Sequence, residues 1–167
     1  VSPGDEVIVI EPAFDCYLPA ITLAGGKAIS VSLDVQRNSD GLVDAYAIPW
    51  TALANAITPK TRLLLINSPH NPTGMVWQRS DLDRLADLLS DTKVLVCSDE
   101  VYEHMVFDGQ HHHSASSHPA LAARSFVVSS FGKTFHVTGW KIGYVAAPAL
   151  LTAEFRKVHQ YNVFSVN

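Results

Sequence analysis

Short apolar runs recur along the chain, and most are followed by a stretch with helical spacing. Glu6–Ile10 (EVIVI) reads as a strand and Phe14–Leu23 as a helix. Lys27–Leu33 is a second strand, and Trp50–Ile57 a short helix. Thr61–Ile66 (TRLLLI) is a near-continuous apolar strand, and Arg79–Leu89 sets Leu82, Leu85, Ala86 and Leu89 on one helical face. Lys93–Cys97 (KVLVC), Ser125–Ser130 (SFVVSS) and Tyr144–Ala147 read as further strands, and Leu150–Tyr161 begins a long helix. A strand that is apolar on both sides must be covered on both sides. The alternation therefore predicts an α/β three-layer sandwich around a mainly parallel sheet. The chain has neither internal repeats nor a low-complexity linker.

Polar residues with chemistry to offer fall where the strands end. Asn71 follows one strand, Asp99 the next and Lys133 a third. Open α/β sheets bind ligands beyond the carboxyl ends of their strands, so an amide, a carboxylate and an amine are expected along one rim.

Composition narrows the possibilities. The 167 residues are 47% hydrophobic, enough for one α/β core. The net charge of −4 without a basic block argues against a cationic nucleic-acid surface. Cys16 and Cys97 match no metal spacing, and two cysteines in a chain of this length fit a reduced, cytoplasmic protein. No apolar run reaches the roughly 18 residues of a membrane span. The opening VSPGDEVIVIEP reads as a turn feeding a strand, with no signal-peptide pattern, and YNVFSVN stops without a closing element. The sequence is therefore expected to be an internal part of a longer chain.

Each chemical residue has two readings on local grounds. Lys133, in SSFGKTFHVTGWKIGY, has Gly132, Phe135, Val137 and Trp140 as neighbours. It is either a lysine snorkelling from a loop or a partly desolvated Schiff-base lysine. A phosphate-binding P-loop is excluded, because Val127 stands where that motif needs glycine. Asp99, in VCSDEVYEH, can cap a helix or hold a cationic ring nitrogen. Tyr102 can pack, or join Asp99 in gripping a planar ligand. Glu100 and Glu103 are expected to face solvent. Asn71, in INSPHNPTG, is an Asn-Pro turn residue or an amide displayed on a rigid turn. Ser129, Ser130 and Lys141 are loop groups or anion donors. Phe14 packs in the core or stacks on a flat ligand. The triple histidine His111–His113 lacks partner ligands at a recognised spacing and reads as a solvated loop.

Taken together, NSPHNPTG, SDEVYEH and SSFGKTFHVTGWKIGY resemble, in order and spacing, the fold-type-I pyridoxal-phosphate-dependent class I/II aminotransferases. EPAFDCYLPAI, DEVYEHMVFDG and RKVHQYNVFSVN resemble the branch that holds bacterial methionine aminotransferases and the kynurenine aminotransferase/glutamine transaminase K enzymes. The resemblance implies a pyridoxal 5'-phosphate cofactor bound covalently by Lys133. Asp99 would pair with its pyridine nitrogen, and Tyr102 and Asn71 would hydrogen-bond its 3-oxygen. Ser130 and Lys141 would hold its phosphate, and Phe14 would stack on its ring. Lys141 offers a point charge where many relatives carry arginine. The resemblance also implies amino acid and 2-oxo acid substrates, a homodimer, and no metal, nucleic-acid or membrane partner. Residues 1–149 would form the central part of the large domain and residues 150–167 the start of a helix leading toward a small domain. A glycine-rich phosphate segment and a substrate-binding arginine would lie outside the chain, so residues 1–167 alone are expected to be inactive and poorly folded. Two other readings stay open: a C–S β-lyase using the same cofactor, and the ligand-sensing domain of a transcription regulator.

Overall fold

A computed structural model describes residues 1–166. Its main sheet has six strands: β1 (Glu6–Glu11), β2 (Lys27–Ser32), β5 (Thr61–Asn67), β6 (Leu95–Asp99), β7 (Ser125–Ser130) and β8 (Gly143–Ala146). They lie in the order β2-β1-β5-β6-β7-β8. Every neighbouring pair is parallel except β7 with β8, which is antiparallel. This is the expected α/β architecture with a mainly parallel sheet.

The sheet is buried on both faces because its central strands carry apolar side chains in both directions. On one face, Ile8, Ile10, Leu64, Ile66, Val96 and Val127 meet α2 (Trp50–Ala56), α3 (Arg79–Leu89) and α4 (Pro119–Ala122). Leu82, Leu85 and Leu89 are buried at helical spacing along α3. A capping box closes its N-terminus, with the Gln78 backbone N–H donating to Asp81 Oδ2 at 2.8 Å. On the other face, Val7 and Val9 pack with Tyr17 and Ile21 of α1 (Tyr17–Leu23). Farther along, Phe155 of α6 (Ala149–Asn162) meets Phe126 of β7 at 6.4 Å between ring centroids.

Several boundaries differ from those expected. The first helix begins at Tyr17 rather than Phe14, because residues 12–16 form a loop that starts at Pro12. The strand expected at Lys93–Cys97 runs instead from Leu95 to Asp99. An antiparallel hairpin, β3 (Asp34–Arg37) with β4 (Val43–Ala47), was not expected. Its first strand is exposed throughout, so no burial rhythm marks it. It is closed by the Asn38 side chain, whose Oδ1 accepts from the N–H groups of Asp40 and Leu42, both at 3.0 Å.

Candidate active site

β5, β6 and β7 are adjacent and parallel, so their carboxyl ends lie side by side. A cleft of about 250 Å³ opens there, lined by Phe14, Tyr17, Asn67, Asn71, Asp99, Tyr102, Ser130 and Lys133, among others. Six of the seven residues to which the resemblance assigns a cofactor role thus share one cavity. Lys141 lines an adjoining cleft of about 670 Å³, which also takes in Ser130 and Lys133.

Asp99 is the best-braced group in the cleft. It is the last residue of β6, and alternation along the strand turns it away from its neighbours Ser98 and Glu100. Its Oδ2 accepts from the Tyr17 hydroxyl at 2.5 Å, and its Oδ1 from the Val101 N–H at 3.2 Å. Its carbonyl accepts from Asn67 Nδ2 at 2.8 Å and from the Ser68 N–H at 3.1 Å. Burial, reinforced by the Asp99 charge, pushes the Tyr17 phenol well above its ordinary range, so it remains a donor. The same two causes push the Cys97 thiol up to about 12.

Asn67 connects this brace to the neighbouring turn. Its Oδ1 accepts from the Asn71 N–H at 2.7 Å, so one buried amide fixes both the end of β6 and the base of the INSPHNPTG turn. The turn is held further by a Gly74 N–H to His70 carbonyl bond at 2.8 Å, with Gly74 in the left-handed region at φ 75°.

The β7 side is built differently. Lys133 sits on the single-turn helix α5 (Phe131–Thr134) and is exposed, with Nζ 5.5 Å from the centroid of the Tyr102 ring. Of the neighbours expected to desolvate it, the two aromatic ones are exposed: Phe135 to 62% and Trp140 to 60%. Lys141 is exposed and left-handed at φ 56°, a conformation that costs a non-glycine residue on the order of 1 kcal/mol. β8 can approach this rim because Gly143 has no side chain; a Cβ there would lie 2.8 Å from the Ser129 carbonyl oxygen.

Three expectations are corrected. Glu100 does not face solvent: it is 1% exposed, directly after β6, on the side that Ser98 shares. Its Oε1 accepts from Ser98 Oγ at 2.7 Å and the Ala115 N–H at 2.9 Å, and its Oε2 lies 2.9 Å from His112 Nε2. Burial alone would push this carboxyl up, but these hydrogen bonds outweigh it and hold it below the usual range. His112 is therefore an inward-facing partner rather than part of a solvated loop, with a side chain only 11% exposed. Glu103 is half-buried and accepts from Ser129 Oγ and the Tyr144 hydroxyl, both at 2.9 Å, so the Ser129 hydroxyl is engaged away from any anion. Glu100, Glu103 and His112 lie close enough to suggest a metal trio, yet Glu100 is already satisfied by protein donors.

Sequence reasoning missed Tyr17, Asn67 and the Glu100–His112 link. Strand periodicity carried a signal for Glu100, since a residue that follows Asp99 directly in extended chain takes the other side. Spacing carried weaker signals for Tyr17, three residues after Phe14, and for Asn67, four before Asn71.

The chemistry of the open groups suits a flat, anionic ligand. Among the described residues, the Asn71 amide, the Tyr102 and Ser130 hydroxyls and the Lys133 and Lys141 amines form no hydrogen bond or ion pair with other side chains or backbone. A fixed carboxylate, a phenol, an amide, a hydroxyl and two amines surround one cleft, with Phe14 beside it. That set matches pyridoxal phosphate: a basic ring nitrogen, a ring oxygen, an aldehyde and a phosphate.

Residues 1–166 match the family described as aminotransferase class I and II. A methionine aminotransferase from Escherichia coli is 46% identical over 100% of this chain and 41% of its own length. The crystal structure of the Escherichia coli protein YbdL, identified as having a methionine aminotransferase function, superposes with a TM-score of 0.92 at 46% identity, covering 100% of this chain and 42% of that one. The human kynurenine–oxoglutarate transaminase 1 is 41% identical over 98% of this chain and 40% of its length. Cystalysin from Treponema denticola, whose structure contains pyridoxal 5'-phosphate, has a TM-score of 0.87 at 25% identity, over 96% of this chain and 40% of its own. The chain thus spans about two-fifths of the length of the curated relatives it matches.

Proposed function

Because the chain belongs to the class I and II aminotransferases, we propose that it forms the cofactor-binding part of a pyridoxal-phosphate-dependent aminotransferase. The reaction moves an amino group from an L-amino acid to a 2-oxo acid by a ping-pong course. The methionine, glutamine or aromatic type of donor is favoured by the identity to the methionine and kynurenine enzymes. The observation that carries the reading is that Asn71, Asp99 and Lys133, delivered by three strands, share one cleft with Tyr102, Phe14 and Ser130.

Pyridoxal phosphate, when bound, supplies an electron sink for the carbanion formed at the substrate Cα. The chain's own residues hold and aim it. Asp99, braced by Tyr17 and Val101, presents a negative charge to the ring nitrogen and keeps it protonated. Asn71 and Tyr102 would donate to the 3-oxygen, and Phe14 would lie against the ring. Ser130 and Lys141 would hold the phosphate. Lys133 would anchor the cofactor covalently, and its Nζ would move the proton at the substrate Cα. Its exposed, lightly held position leaves it free to move between these two jobs.

We further read residues 1–149 as the central part of the large domain and 150–167 as the start of a connection toward a small domain. The complete protein acts as a homodimer in the cytoplasm. No described helix is long and apolar enough to cross a membrane.

The test is borohydride reduction of the complete, cofactor-loaded protein followed by peptide mapping. The label should fall on Lys133; a label on Lys141 or Lys27 overturns the assignment. Donors with and without a β-leaving group then separate transamination from β-elimination.

A further inference from the structure

We propose that Tyr17 is a positioning residue for this site: its hydroxyl fixes the Asp99 carboxylate so that it meets the ring nitrogen of the cofactor in one orientation. The inference rests on the reading of the cleft as a pyridoxal phosphate site and adds to it a residue on a different element, 82 positions away in sequence.

The geometry separates packing from positioning. The Tyr17 ring is buried against Val7, Val9 and Ile21, and it takes Phe14 edge-to-face at 5.7 Å. A phenylalanine would make all of these contacts. The hydroxyl alone reaches beyond them, to Asp99 Oδ2 at 2.5 Å, in the range of charge-assisted O–H···O⁻ bonds. With the Val101 N–H on Oδ1, each carboxylate oxygen has one donor, and the carboxylate plane is set from two directions. Burial and the Asp99 charge keep the phenol protonated, so the donor persists across the working pH range. The loop leading into α1 thus carries the ring beside the cleft, Phe14, and the first residue of α1 aims its carboxylate.

The experiment compares wild type, Tyr17→Phe, Asp99→Asn and the double variant in the complete protein. It reads pyridoxal phosphate affinity by fluorescence titration, thermal midpoint, and kcat and KM separately. For Tyr17→Phe, cofactor Kd should rise roughly tenfold and kcat fall by about ten- to a hundredfold, the scale of a lost bond to a charged group. KM for the amino donor should change little. In the Asp99→Asn background the same substitution should change Kd and kcat less than about twofold, since the charge it acts on is gone. Unchanged Kd and kcat in Tyr17→Phe overturn the inference. So do equal losses in both backgrounds, or loss of the soluble fold, which would make the hydroxyl a requirement of the core. A wild-type protein that binds no pyridoxal phosphate instead sinks the reading of the cleft, and the inference with it.

Discussion

The two sides of the cleft are built on opposite plans. On the β5–β6 side, Asp99 and the turn bearing Asn71 are tied by Tyr17, Asn67, Ser68 and Val101, through bonds of 2.5 to 3.2 Å. On the β7–β8 side, Lys133 rides on a one-turn helix and Lys141 caps the turn Thr138–Trp140; both are exposed, and among the described residues their amines have no hydrogen-bonded partner. The difference follows the tasks proposed for them. A carboxylate that holds a cation must not reorient during the reaction, and preorganised charge is effective because it costs no reorganisation when the barrier is crossed. A lysine that serves first as anchor and then as base has to move.

The comparison can be broken from the braced side first. Asp99→Asn should keep the fold, because the Val101 N–H can still donate to the amide oxygen and the Tyr17 hydroxyl oxygen can accept from the amide NH2, yet lower turnover of the complete enzyme by about 10²–10³-fold, the scale of losing one preorganised electrostatic group. Steady-state kinetics on a variant shown by circular dichroism to be folded would check this, and near-wild-type turnover would contradict it. Next, Asn67→Ala should remove two bonds from a buried amide and strand the Asn71 N–H. A loss of about 2–4 kcal/mol in urea unfolding is expected. A loss below about 0.5 kcal/mol would show that the brace does not depend on Asn67. The smallest effect concerns the far face of β6. Glu100 has a lowered folded pKa, so the stability it contributes is present above its unfolded value of 4.5 and disappears as pH falls through the folded one. Wild type should therefore lose stability on acidification below pH 4.5, while Glu100→Gln starts lower at pH 7 and changes less. Parallel pH curves for the two proteins would remove Glu100 from this account.

The elements that were legible in the sequence are those with a burial rhythm. The apolar runs of β1, β5 and β7 and the leucine spacing of α3 declared themselves because each must bury a continuous surface. The hairpin β3–β4 did not, since its first strand is exposed along its whole length. Among site residues, Asn71, Asp99 and Lys133 were found because each follows or ends a strand, a position that depends on order along the chain. Tyr17 was not, because it looks like an ordinary core residue until its partner is known; Asn67 ends β5, yet its amide is used inside the protein, on the Asp99 carbonyl and the Asn71 N–H.

By itself, then, the sequence determined the alternation of strands and helices, the place of the amide, carboxylate and amine at strand ends, and the motifs that identify the family. Those properties are local, written in spacing and residue type. Tertiary structure decided the rest: that β5, β6 and β7 are neighbours, that Tyr17 reaches Asp99 across 82 residues, and that Glu100 turns inward to His112 while Asp99 faces the cleft. The reason is physical. A hydrogen bond between distant residues exists only once the sheet has set their strands side by side, and no local pattern encodes which neighbour that will be.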